Sequence, residues 1–89
     1  MTWRIELDPL ADKELSKLDP QIARRILNFL YQRVAASDNP RVIGEALKGA
    51  SLGEFWKYRV GDYRIIASIN DSEIKILIIK VGNRKEVYR

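Results

Sequence analysis

The chain contains no cysteine and no histidine, and each absence closes off a class of chemistry. Without cysteine there are no disulfides, no thiolate metal sites and no thiol nucleophile, and a reducing cytoplasm is the natural setting. Without histidine the chain lacks the usual base of nucleophile–base pairs, the common zinc ligand, and the one side chain whose unperturbed pKa lies near neutrality. Neither a metal nor any other cofactor is expected, and catalysis must use Lys, Arg, Tyr, Asp or Glu. No apolar run approaches the roughly 20 residues of a membrane span. The start Met1-Thr2-Trp3-Arg4-Ile5-Glu6 also lacks the apolar core of a signal peptide, so a soluble cytoplasmic protein without a membrane partner is expected.

What is present is a surplus of positive charge. Sixteen Lys and Arg stand against twelve Asp and Glu, for a net charge of +4 and a pI near 9.6. That balance favours a polyanionic partner, because neutralising phosphates releases counterions. At 89 residues the chain is read as one domain, residues 1–89, with a single core.

There are three prolines, and each follows an aspartate or asparagine: Asp8-Pro9, Asp19-Pro20 and Asn39-Pro40. A capping side chain followed by a residue of fixed φ is a helix start. Before the first, Trp3, Ile5 and Leu7 alternate with Thr2, Arg4 and Glu6, which predicts a half-buried strand over 2–7. Leu10, Ala11, Leu15 and Leu18 predict a first helix. Ile22, Ala23, Ile26, Leu27, Phe29, Leu30 and Val34 predict a second, antiparallel to it. The third start is followed by Gly44 and by a glycine-rich stretch over 48–53, which predicts a short helical turn giving way to a loop. Three strands follow over 55–60, 63–69 and 73–81, the last apolar on both faces as a central strand should be. The predicted architecture is α+β: strand, helix hairpin and three-stranded antiparallel meander, giving a four-stranded sheet with helices on one face. The opposite face should then be polar or bind something. Trp3, Phe29, Trp56, Tyr58 and Tyr63 fall on apolar stripes and are expected in the core.

The most informative segment is the hairpin. Joining Trp56–Val60 to Tyr63–Ile69 through Gly61-Asp62 sets Val60 opposite Tyr63, Arg59 opposite Arg64, and Lys57 opposite Ile66. One face then carries Trp56, Tyr58, Val60, Tyr63, Ile65 and Ala67, and the other Lys57, Arg59 and Arg64. Like charges directly opposite are destabilising, so an Arg–Arg pair flanked by lysine points to an anion that completes the site.

Tyr63-Arg64-Ile65-Ile66 after the tight turn, the Leu47-Lys48-Gly49 step and the ending Gly82-x-Arg84-x-x-Val87-Tyr88, on this chain order, resemble the RelE branch of the RelE/ParE type II toxin superfamily. The resemblance covers essentially the whole chain. It implies a RelE-like fold and a metal-independent endoribonuclease that enters the ribosomal A site, cleaves messenger RNA by 2′-hydroxyl attack, and is neutralised by a cognate RelB-like antitoxin. Operator DNA would be reached only through the antitoxin complex. The resemblance further implies catalytic roles for Lys57, Arg59, Arg64, Arg84 and Tyr88. Arg24, Arg25, Arg33, Lys48 and Lys85 are candidates for gripping RNA.

The chemistry agrees with those residue types. The pentacovalent phosphorane of 2′-hydroxyl attack gathers negative charge that arginines can clamp bidentately, and Tyr88 offers a face for a base. Three features depart from the pattern. Arg59 replaces a lysine, and a guanidinium cannot serve as a base, which leaves that role to Lys57. Asn83 replaces a histidine of many relatives and cannot transfer a proton. The sequence stops at Arg89, with almost none of the closing helix that several relatives carry, so an antitoxin that works by displacing that helix is not expected. The rival within the superfamily is a ParE-like toxin that binds DNA gyrase without cleavage. Outside it, a non-catalytic nucleic-acid-binding module would use the same basic face only for phosphate contact.

Overall fold

The three proline steps act as their chemistry predicts. In the computed structural model, which describes residues 2–47 and 55–87, the Asp8 carboxylate accepts from Leu10 N at 3.2 Å, Asp19 from Gln21 N at 2.8 Å, and Asn39 from Arg41 N at 3.1 Å. Each contact satisfies a backbone N–H left without an intrahelical partner. They open α1 (Pro9–Ser16), α2 (Pro20–Phe29) and the short α3 (Pro40–Ile43). Helix α2 runs on into a π-helical turn over Leu30–Val34, where Ala35 N donates to Leu30 O at 2.8 Å.

The strands are β1 (Arg4–Leu7), β2 (Glu45–Ala46), β3 (Phe55–Val60), β4 (Tyr63–Asn70) and β5 (Lys75–Asn83), in the order β1-β5-β4-β3-β2. All neighbours are antiparallel except β1 and β5, which run parallel with Ile5 against Ile76. The α+β class and the central position of β5 agree with the sequence expectation. The strand count does not: a fifth strand replaces part of the loop predicted after α3. A two-residue strand has no period to read. It forms because Gly44 lets the chain lie close against β3, where a Cβ would sit 2.8 Å from both Lys57 O and the Tyr58 ring. The β5 limits also move, from 73–81 to Lys75–Asn83, because Asp71–Ile74 forms a turn with Ile74 at φ 51°.

The core lies between the helices and one face of the sheet. Ile26, Leu30 and Val34 from the helical layer meet Tyr58, Ile65, Ala67, Ile76 and Ile78, all fully buried, with Trp3 closing one end. Phe29, Trp56 and Tyr63 are half-buried against the same cluster, as their stripes predict. Beyond Leu7 the outer edge of β5 has no strand partner among the described residues, and Glu14 of α1 covers it by accepting from Val81 N at 3.1 Å.

Of the two alternatives expected for the far face of the sheet, polar or ligand-binding, the first does not hold throughout. A bulge between Ile66 and Ala67 pairs Ile66 with Lys80 and Ala67 with Ile78, so Ile79 has no register partner on β4. Ile66 and Ile79 line an apolar groove of about 330 Å³ with Leu47, Phe55, Lys80 and Val87. The closing run is partly helical. Asn83 accepts from Lys85 N at 3.0 Å at the start of α4 (Arg84–Val87), and Val87 folds over Gly82, where a Cβ would lie 3.2 Å from Val87 Cγ2.

Candidate functional site

The β3–β4 hairpin has the register its alternation predicts: Lys57 opposite Ile66, Arg59 opposite Arg64, Val60 opposite Tyr63. Gly61 occupies the first turn position at φ 60°, a conformation only glycine adopts without strain, and this fixes which side chains share a face. Trp56, Tyr58, Val60, Tyr63, Ile65 and Ala67 turn toward the helices, and Lys57, Arg59 and Arg64 turn away.

Those three cations do not stand on an open sheet face. They line a groove of about 430 Å³ together with Phe29, Arg33, Ile43, Gly44, Glu45 and Tyr58. Because Tyr58 faces the helices while Lys57 and Arg59 face away, the groove straddles the edge of β3. Beyond Lys57 that edge carries no strand partner among the described residues, because β2 begins at Glu45, the register partner of Lys57. The π-helical turn supplies the far wall, with the Arg33 guanidinium 6.0 Å from the Phe29 ring centre. The groove thus collects four cations and one carboxylate.

The expected Arg59–Arg64 repulsion is relieved by geometry. Arg64 bends toward the turn, and its Nη1 donates to Gly61 O and Tyr63 O, each at 3.0 Å. A guanidinium carries five N–H donors, so others remain for an anion. Arg59 is exposed and forms no ion pair among the described residues. Lys57, by contrast, sits beside Glu45, its register partner on β2, with Nζ to Oε2 at 3.6 Å.

The floor of the groove is tied by hydrogen bonds. Tyr58 is buried, and its hydroxyl donates to Pro40 O at 2.8 Å. Desolvation pushes its phenol up to about 12, against a smaller opposing effect of Arg41, so it stays protonated and holds α3 in place. Arg41 adds a second tie: it grips Asp71 bidentately at 3.0 and 2.7 Å and lies 5.8 Å from the Trp56 ring centre. The hydrogen bond from Arg41 holds the Asp71 carboxyl below its ordinary value.

Of the residues singled out by sequence, the groove gathers Arg33, Lys57, Arg59 and Arg64. Two others converge on the hairpin turn. The Arg84 amide donates to Asp62 O at 2.9 Å, and the Arg25 guanidinium lies 3.4 Å from where a Gly61 Cβ would project. Arg24 and Lys85 are exposed and line neither groove. Lys48 and Tyr88 lie outside the described residues. Nothing in the sequence pattern points to Glu45, an isolated carboxylate in a segment without periodicity; only its pairing with β3 brings it beside Lys57.

Comparison with known proteins bears on the same chain length. The family model described as ParE toxin of type II toxin–antitoxin system, parDE, matches residues 5–88. Toxin RelG of Mycobacterium tuberculosis is 28% identical over 89 residues, covering 100% of this chain and 99% of that protein. The mRNA interferase toxin RelE of Escherichia coli is 28% identical over 90 residues, covering 99% and 92%. Among solved structures, the toxin–antitoxin complex RelBE2 from M. tuberculosis contains a chain that superposes with a TM-score of 0.84 at 23% identity, over 97% of this chain and 95% of that one. A doubly substituted E. coli toxin RelE in the free state superposes at 0.77 with 27% identity, over 99% and 92%.

Proposed function

This chain belongs to the ParE toxin family of type II toxin–antitoxin systems, with RelE-type toxins among its relatives, and from that premise we propose that it is an endoribonuclease that cuts messenger RNA in the ribosomal A site. The observation that supports the reading is the groove at the β3 edge, lined by Arg33, Lys57, Arg59 and Arg64, a charge that suits a phosphodiester. Attack of a 2′-hydroxyl on the adjacent phosphorus gives a 2′,3′-cyclic phosphate and a free 5′-hydroxyl, and needs no metal when cations neutralise the phosphorane. In this reading Arg64 and Arg59 hold the non-bridging oxygens. Arg84, at the other side of the hairpin turn, holds the next phosphate, and Tyr88 stacks on a base. Arg24, Arg25, Arg33, Lys48 and Lys85 contact the RNA backbone of message or ribosome, and the ribosome holds the substrate in line.

The same reading takes residues 1–89 as one toxin domain acting in the cytoplasm; no helix among the described residues is long and apolar enough to cross a membrane. Its restraint would be a RelB-type antitoxin, since RelE toxins have been solved in complex with RelB-type partners. Operator DNA would be contacted only through that complex.

Primer extension on messages from expressing cells tests the proposal. Cuts within codons of translated messages are expected. Intact messages with stalled replication would favour a gyrase-directed toxin instead, the reading that the ParE family name favours. Arg84→Ala should abolish toxicity while the protein still melts cooperatively; a folded variant of full toxicity would remove Arg84 from the site.

A further inference from the structure

The groove at the β3 edge has two unlike walls. On the hairpin side Lys57, Arg59 and Arg64 supply cations from two paired strands, the charge that a phosphodiester requires. On the helical side the lining is Phe29, Arg33 and Ile43, apolar but for a single cation. A phosphate gains nothing from an aromatic ring, whereas a nucleobase presents a π-face that stacks on rings and on guanidinium planes. Phe29 and Arg33 stand four residues apart where α2 passes into the π-helical turn, a spacing that sets them side by side on the helix surface, while Leu30 and Val34 are fully buried. The Arg33 guanidinium lies over the Phe29 ring, 6.0 Å from its centre. Tyr58 in turn meets that ring edge-on, with 6.3 Å between centres and 64° between planes. Arg33 is exposed and forms no ion pair among the described residues, so no carboxylate there competes for its guanidinium.

We propose that Arg33, backed by Phe29, is a stacking platform for the base of one of the two nucleosides that the scissile phosphate joins. The assignment rests on the nuclease reading above and gives Arg33 a base to hold in place of the RNA backbone. With the phosphate held by Arg59 and Arg64 on the hairpin wall, the adjoining nucleoside spans the groove and its base meets the helical wall. The groove volume of about 430 Å³ falls within the range of small-ligand pockets, roughly 300–1,000 Å³, which gives room for a nucleotide. Stacking tolerates any base, so the platform orients the substrate without selecting a codon. A base clamped on one wall and a phosphate on the other fix the sugar between them, and with it the geometry of attack at phosphorus. Arg33 thus contributes through its plane as well as its charge, and lysine cannot replace it.

The test is single-turnover cleavage on programmed ribosomes by wild type, Arg33→Ala and Arg33→Lys. Three messages are compared: ordinary RNA, and two that carry an abasic residue at one or the other nucleoside flanking the scissile phosphate. Arg33 is exposed, so neither substitution empties a core position. On ordinary RNA both variants should lose about 5- to 150-fold in rate, the equivalent of one base stack. On one of the abasic messages wild type should lose the same factor, and all three proteins should then cleave within about twofold of one another, because the base that Arg33 holds is gone. On the other abasic message the deficit of the variants should persist. Arg33→Ala or Arg33→Lys at the wild-type rate on ordinary RNA overturns the assignment. So does an Arg33→Ala deficit of equal size on all three messages, which would return Arg33 to the RNA backbone. If wild type itself leaves ordinary RNA uncut, the nuclease reading falls and takes this assignment with it, an outcome distinct from the other two.

Discussion

The two rows of side chains on the β3–β4 hairpin share the same strands, turn and register, and differ only in pleat parity. On the helix side Tyr58, Ile65 and Ala67 are at most 1% exposed and bind the sheet to α2. On the other side Lys57, Arg59 and Arg64 lie half-buried or exposed along a groove. A period of two separates stability from chemistry at single-residue resolution. The fold is carried by residues that the proposed chemistry does not use, and the cations sit where their loss leaves no cavity.

That division can be broken from either side. The largest stability effect should come from Tyr58→Ala, which removes a fully buried ring and its hydrogen bond. A loss of about 3–5 kcal/mol is expected, enough to bring a domain of this size close to unfolding at growth temperature, and a denaturant titration measures it. Arg64→Ala should show the reverse pattern. Cleavage should fall about 10²–10³-fold, as when an oxyanion donor is removed, while the melting temperature stays within a few degrees of wild type, since the Arg64 side chain is only half-buried and its loss leaves no core cavity. A variant that unfolded instead would mean that the Gly61 and Tyr63 carbonyl contacts, rather than an anion, are the purpose of that guanidinium.

Smaller effects sharpen the boundary. Tyr58→Phe keeps the ring and orphans the Pro40 carbonyl, which should cost about 1–3 kcal/mol in thermal or chemical melts. With the phenol raised from its ordinary 10 to about 12 in the folded state, its contribution is fully present below pH 10 and is lost as pH rises through 12. Tyr58→Phe should flatten that alkaline loss. The smallest effect belongs to Asp71, whose carboxyl is lowered by Arg41. Its contribution is present above the carboxyl's unfolded value and fades as pH falls through the folded one. Asp71→Asn should therefore lower stability at neutral pH and leave it unchanged in strong acid, as acid titrations followed by circular dichroism would report.

Much of this was legible in the chain. Aspartate–proline and asparagine–proline steps act locally, so three helix starts could be placed to the residue. Alternation over Trp56–Ala67 with a Gly-Asp turn left one sensible register, and it is the one observed. The fifth strand was not legible, because Glu45 and Ala46 pair only through an approach that Gly44 permits. Nor was the apolar groove of the far face, since the bulge that leaves Ile79 without a register partner on β4 depends on how β4 and β5 meet. Arg24, Arg25 and Arg33 read alike on a helical wheel, yet Arg33 lines the groove, Arg25 reaches the hairpin turn, and Arg24 does neither.

Local chemistry and short-range period thus determined by themselves the caps, the α+β class, the hairpin register and the identity of the cationic row, because each depends on neighbours within one or two turns or across one tight loop. Only the tertiary structure decided that those cations line an edge groove instead of an open face, that Arg33 joins them, and that Glu45 stands beside Lys57. Those facts depend on where β2 begins and on how the helical layer sits over the β3 edge, contacts between segments far apart in the chain that no local pattern encodes.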